Sequence, residues 1–151
     1  MVQLPFLIFA DMKQAESQED DVSIEGMRIL LAEDNELNME IAKFLLTNAG
    51  AEIIRASNGK EAVEAFAKSD VGEVNVILMD IMMPVMDGLE ATREIRTMNR
   101  SDASAVAIIA MTANAFAEDK SKALKAGMDE YLTKPLESEK LIRALSRYKY
   151  N

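Results

Sequence analysis

Val74–Gly88 reads V-N-V-I-L-M-D-I-M-M-P-V-M-D-G, and its order of residue types decides the fold. Five of its first six residues are apolar, a run that seeks burial on both faces. Asp80 follows at once, and Pro84 and Gly88 then break regular structure. An ionised carboxylate beside a core costs several kcal/mol unless it is paired or metal-bound. Asp80 therefore needs partners from elsewhere in the chain.

Working outward, four more apolar runs resemble Val74–Asp80. Met27–Ala32 ends on Glu33-Asp34, Ala51–Ala56 ends on a Ser-Asn-Gly turn, Ala105–Met111 ends on Thr112, and Met128–Thr133 delivers Lys134-Pro135. Helical patterns fill the gaps. Asn35 is an N-cap for a helix with Leu37, Ile41, Phe44 and Leu45 at helical spacing, closed by Gly50. Asn58-Gly59 opens a second helix with Ala62, Val63 and Phe66 on its inner side. Leu89–Met98 turns Ala91, Ile95 and Met98 inward, Ala115–Ala126 stops at a C′ glycine, Gly127, and a last helix over about Ser138–Tyr148 stripes Leu141, Ala144, Leu145 and Tyr148. Five continuous apolar strands alternating with five amphipathic helices predict a single α/β domain with an open, doubly wound parallel sheet. Ligands of such sheets bind beyond the carboxyl ends of the strands.

Composition narrows the chemistry. With neither Cys nor His, the chain holds no disulfide, no thiolate or imidazole metal site, no Ser-His-Asp catalysis and no phosphohistidine of its own. Any metal is held by oxygen, which favours a hard cation such as Mg²⁺. Of the net charge of −9, residues 1–26 carry −5, from six acids and one Lys, and the remainder −4, so no basic face suits nucleic acid. No apolar run approaches the roughly 20 residues that span a bilayer. The opening M-V-Q-L-P-F-L-I-F-A lacks a basic start and contains Pro5, so a cytoplasmic protein without direct membrane contact is expected. Residues 1–10 read as an apolar strand remnant and Asp11–Glu25 as an acidic linker, which sets a boundary near Gly26: extension 1–26, domain 27–151.

The polar residues that end the strands all fall on one edge: Glu33-Asp34, Asp80, Thr112 and Lys134. Three converging carboxylates repel one another, and a divalent cation relieves that repulsion. With an ammonium and a hydroxyl beside them, the site suits a phosphoryl group, whose transfer needs positioning and charge neutralisation. A dinucleotide site needs G-x-G-x-x-G where this chain has A-E-D-N-E-L, and a P-loop is absent. An aspartate-nucleophile phosphatase of the haloacid dehalogenase type wants a second acid at the position of Met82. Met79, Met82, Met83, Met86 and Met111 read as packing and loop residues.

Taken together, Glu33-Asp34, Asp80 in M-D-I-M-M-P-V-M-D-G, Thr112 in M-T-A and Lys134-Pro135 in Y-L-T-K-P resemble a response regulator receiver domain over Met27–Tyr148. That resemblance implies a flavodoxin-like (βα)5 sheet in strand order 2-1-3-4-5. It implies that Asp80 accepts a phosphoryl group from a phosphohistidine. Asp34 and Asp80 would bind Mg²⁺ directly, with Glu33 acting through water and the Met82 carbonyl as a further ligand. Thr112 and Lys134 would hold the phosphoryl oxygens, Lys134-Pro135 would be cis, and Tyr131 would be the switch aromatic. Glu33 departs from the aspartate that many receivers carry. E-D-N-x-x-N and M-T-A-N-A-F-A-E-D resemble receivers of hybrid sensor histidine kinases, and Q-L-P-F is similar to the last strand of a kinase ATP-binding domain, so the parent protein is expected to be a hybrid kinase, itself possible at a membrane. Met82 and Asn114 resemble the family's lifetime-tuning positions, and Ala115, Phe116 and Ala117 are an apolar patch for docking or core filling. With Asn151 closing the chain soon after the fifth helix, no output domain is expected, and the signal passes by docking or by relay to a histidine kinase or histidine phosphotransfer domain. Two rivals stand beside this reading: a Mg²⁺-dependent phosphatase using Asp80 covalently, and a receiver-like binding module that works without phosphate.

Overall fold

The computed structural model describes residues 22–113 and 116–150. The segments expected over residues 1–21, together with Asn114 and Ala115, lie outside the described residues. Five strands and five helices alternate along the described chain: β1 Arg28–Ala32, α1 Glu36–Asn48, β2 Glu52–Ala56, α2 Gly59–Lys68, β3 Val76–Asp80, α3 Gly88–Arg96, β4 Ala107–Thr112, α4 Ala117–Ala126, β5 Glu130–Thr133 and α5 Ser138–Ser146. The strands form one parallel sheet in the order β2-β1-β3-β4-β5. This is the expected flavodoxin-like α/β architecture.

Pleating sorts the apolar strand residues onto two cores. Leu30, Ala32, Ile77, Met79, Ile108 and Ala110 pack with Phe66 of α2 and Ile95 of α3. Ile29, Leu31, Val76, Leu78, Ile109 and Met111 pack on the opposite face with Leu46 of α1 and Leu141 and Leu145 of α5. Ile24, two residues before the expected boundary, is fully buried in that second core. All five residues of β3 and all six of β4 are buried. A central strand covered on both faces cannot alternate apolar with polar, which is why both runs are continuous.

Helix α1 buries a different set of residues from the apolar positions noted at helical spacing. Leu37, Ile41 and Phe44 are 68%, 48% and 66% exposed, whereas Met39, Ala42 and Leu46 are buried and Leu45 is half-buried. Both sets repeat at helical spacing, so periodicity alone did not choose between them. Leu37 and Met39 are two residues apart, about 200° around the helix, so α1 carries apolar side chains on opposite faces. The Asn35 side chain accepts from Asn38 N at 2.9 Å and fixes the helix start that turns Met39 inward. The last helix ends at Ser146, and Tyr148 follows it in a turn that donates its hydroxyl to Glu130.

Candidate functional site

Strand register assembles the site. Ala32 of β1 lies opposite Met79 of β3, so Glu33 and Asp80, each the next residue, emerge side by side. Thr112 closes β4 opposite Thr133 of β5, and Lys134 N donates to the Thr112 carbonyl at 2.8 Å. That bond fixes where the Lys134 side chain starts. The Lys134-Pro135 bond is cis, as the resemblance implied. The loop after β3 folds tightly back: Gly88 N donates to the Ile81 carbonyl, and a Cβ on Gly88 would lie 2.2 Å from the Asp80 carbonyl oxygen. Only glycine fits that approach. Val85 in the same loop holds φ +71, a left-handed conformation rarely adopted by a β-branched residue.

The side chains converge. Lys134 Nζ lies 2.7 Å from Glu33 Oε2 and 2.8 Å from Asp80 Oδ2, bridging the two carboxylates. Glu33 Oε1 accepts from Asn35 N at 3.2 Å and Asp80 Oδ1 from Met82 N at 3.3 Å. Glu33, Asp80 and Thr112 are only 3%, 5% and 7% exposed, while Asp34 is exposed. One carboxylate oxygen from each of Glu33, Asp34 and Asp80 lies within 4.8 Å of the others. Three oxygen donors at that spacing fit a divalent cation of the hard class, and no softer ligand of the Cys or His type exists in the chain to compete.

Burial dominates the electrostatics of Asp80. It pushes the carboxyl up from 3.8 to about 6, the negative Glu33 adds to the rise, and the bonds from Lys134 and Met82 N oppose it. Lys134 moves the other way. Burial alone would lower its pKa, but the bonds to Asp80 and Glu33 outweigh that effect and raise it. At neutral pH, therefore, a mostly ionised carboxylate sits buried against a fixed ammonium, at an edge open toward Asp34.

The response regulator receiver domain model matches residues 29–146. The chain belongs to the response regulator receiver family. Among solved structures, this receiver is similar to the receiver domain of a Pseudomonas aeruginosa sensor histidine kinase, described with a magnesium ion coordinated in its active-site cleft (38% identity, TM-score 0.75, covering 83% of this chain and 99% of that one). It is also similar to a Saccharomyces cerevisiae co-crystal of the histidine phosphotransfer protein Ypd1 with the receiver domain of Ssk1 (30% identity, TM-score 0.72, 83% and 90% covered). Hybrid signal transduction histidine kinase I of Dictyostelium discoideum is 40% identical over 121 residues, which are 79% of this chain but 7% of that protein. The chain thus spans a small fraction of such relatives.

Among the described residues, Glu33, Asp34, Asp80, Met82, Thr112 and Lys134 lie at the carboxyl edge of the receiver sheet, and Tyr131 lies on strand β5. Tyr131 is half-buried against the core under α4. The Met82 side chain is exposed, in the loop beside the acids. Two features escaped sequence reasoning. A groove of about 90 Å³ runs beside the acids between α1 and the turn after β5, lined by Asn38, Ile41, Lys134, Pro135 and Leu136 among others. Lys120 of α4 places its ammonium over the Tyr131 ring, 4.5 Å from the centroid. The first joins α1 to the turn after β5 and the second pairs α4 with β5, so neither leaves a local pattern in the sequence. No described helix is long and apolar enough to cross a membrane.

Proposed function

We propose that this receiver accepts a phosphoryl group on Asp80 from a phosphohistidine, in the service of a two-component phosphorelay. One observation carries the reading: a buried carboxylate at the end of β3 is held by Lys134 at 2.8 Å and shares a cation-sized cluster with Glu33 and Asp34. An Asp80 carboxylate oxygen attacks phosphorus as the P–N bond to the donor imidazole breaks. The electron pair returns to the imidazole nitrogen, a solvent proton completes the neutral ring, and an acyl phosphate is left on Asp80. Asp34 and Asp80, with Glu33 through water and the Met82 carbonyl, would hold Mg²⁺, which supplies charge neutralisation for the phosphoryl oxygens. Lys134 is positioned to leave its bridge and pair with those oxygens, and Thr112 to donate its hydroxyl to them. The added charge of about −2 then biases Thr112 and Tyr131 toward a second arrangement.

The partner follows from the surroundings of the acids. Leu37, Ile41 and Phe44 form an exposed apolar stripe on α1, and Ile41 continues into the groove bounded by Lys134 and Pro135. An apolar stripe on the rim of a phosphoryl site suits a helical donor or acceptor that presents its histidine directly over Asp80. The yeast co-crystal and the hybrid-kinase relatives support a histidine phosphotransfer protein as that occupant, and a hybrid kinase as the parent of this receiver. Incubation with Mg²⁺ and acetyl phosphate tests the acceptor role. The parent should gain the mass of one phosphoryl group and Asp80→Asn should not; equal gain in both, or none in the parent, refutes it.

A further inference from the structure

Helix α4 is fastened very differently at its two ends. At the carboxyl end Gly127 adopts φ +109, and Met128 N closes back on the Ala123 carbonyl at 3.0 Å. Arg96 then ties this corner to its neighbours. Its Nε donates to the Gly127 carbonyl at 2.9 Å, its Nη1 to the carbonyls of Ala103 and Val106, and its Nη2 to Asp129 Oδ2 at 3.0 Å. Asp129 Oδ2 also accepts from Ile108 N at 2.9 Å, so the corner is locked to the start of β4. Among the described residues, the amino end shows no comparable ties. Phe116 at the N-cap makes no side-chain capping bond, and the buried residues of α4, Ala123 and Ala126, both lie in its carboxyl half.

Lys120, at the fourth position of the helix, stands where the amino half of α4 meets the sheet. Its ammonium lies 4.5 Å from the centroid of the Tyr131 ring, within cation–π range. Tyr131 is half-buried, so the ring has an inner wall of apolar residues and an outer face on which Lys120 rests. A ring held in this way cannot turn inward without leaving the ammonium behind.

We propose that Lys120 is a positioning residue for the receiver's switch, holding Tyr131 and the amino half of α4 in the resting arrangement through its contact with the ring. The proposal rests on Asp80 as acceptor and Tyr131 as switch aromatic. Activation breaks the Lys120–Tyr131 contact, frees the uncapped end of α4 and lets the helix pivot about the Arg96–Gly127 corner. The contact is then a fixed cost set against the active state, and Lys120 tunes how readily a phosphoryl group on Asp80 throws the switch. A ligand binds in proportion to the population of its competent state, so removing the contact should tighten binding of an activating ligand.

Beryllofluoride with Mg²⁺, an acyl phosphate mimic, is the probe, titrated by the amide spectrum of the parent chain. Lys120→Met keeps the aliphatic stem and removes only the ammonium; it should bind the mimic about two- to five-fold more tightly, the range expected of a solvent-accessible cation–π contact. Simple loss of a cation near an anion site predicts weaker binding, the opposite sign. Lys120→Arg should match the parent, and Lys120→Met should have no effect once Tyr131→Leu has removed the ring. Unchanged or weaker binding by Lys120→Met, or the same effect with Tyr131→Leu, overturns the proposal. The pairing is also read with no mimic present: the Lys120 ε-methylene protons should be shifted upfield by the ring and lose that shift in Tyr131→Leu, and their absence of shift in the parent equally overturns it. A parent that shows this shift yet never responds to beryllofluoride locates the failure in the acceptor reading, and the switch role of Lys120 falls with it.

Discussion

Replacing Asp80 by Asn removes a buried charge while keeping its shape, and should stabilise the metal-free chain at neutral pH. Burial raises the Asp80 carboxyl from 3.8 to about 6, despite the opposing bond from Lys134. The folded state therefore binds more protons than the unfolded chain between about pH 4 and pH 6, and stability of the parent falls as pH rises through that window. At pH 7 the shift corresponds to a ceiling of roughly 3 kcal/mol. The Asp80 side chain keeps 7% exposure beside the solvent-facing Asp34, and partial screening there leaves about 1–2 kcal/mol. The substituted amide has no proton to gain or lose in this range, so the Asp80→Asn chain should melt roughly 3–8 °C above the parent at pH 7 in chelator. The gain should vanish below about pH 4, where Asp80 is neutral in both states. Added Mg²⁺ should stabilise the parent by mass action and the variant far less, narrowing or inverting the gap. Urea and thermal unfolding across this pH range, with and without Mg²⁺, make the measurement. An Asp80→Asn chain less stable than the parent at pH 7, or a gain that persists at low pH, would refute the burial argument.

Lys134→Met leaves Glu33 and Asp80 facing each other without their bridge; it should cost about 1–3 kcal/mol at pH 7 by urea unfolding, shrink at low pH, and abolish phosphoryl acceptance. Gly88→Ala drives a Cβ to within 2.2 Å of the Asp80 carbonyl oxygen, so it should destabilise the fold by about 1–3 kcal/mol and lower Mg²⁺ affinity by displacing Asp80, both measurable by titration calorimetry and melting. Ile41→Glu or Phe44→Glu alters exposed side chains only, so stability and phosphorylation by acetyl phosphate should stay within experimental error, while transfer from a phosphohistidine protein slows at least about tenfold. Equal transfer rates for the charged variants would remove α1 from the partner surface.

Central features were legible because two constraints act together on few residues. A strand such as β3, buried on both faces, must be continuously apolar, and its one carboxylate must be placed where something can neutralise it. Parallel pairing then brings Glu33, Asp80, Thr112 and Lys134 to one edge without further information. The inward face of α1 was not legible for the opposite reason: its surface is apolar on both sides, because one face packs on the sheet and the other, as proposed, meets a partner. The different surroundings of Glu33 and Asp34, adjacent in sequence, came only from structure. Glu33 ends up buried on Lys134 while Asp34 faces solvent, since successive residues leaving a strand point to opposite sides. The left-handed Val85 and the Lys120–Tyr131 contact are tertiary outcomes with no local signature.

Central to the whole account is a phosphoryl group carried by one carboxylate. Acyl phosphates are reduced by borohydride to the corresponding alcohol, so brief phosphorylation with Mg²⁺ and acetyl phosphate, followed by borohydride and peptide sequencing, marks the acceptor permanently. Homoserine in place of Asp80, with Asp34, Asp70 and Asp87 intact, is the predicted result. Homoserine at another aspartate, or at none, would contradict it.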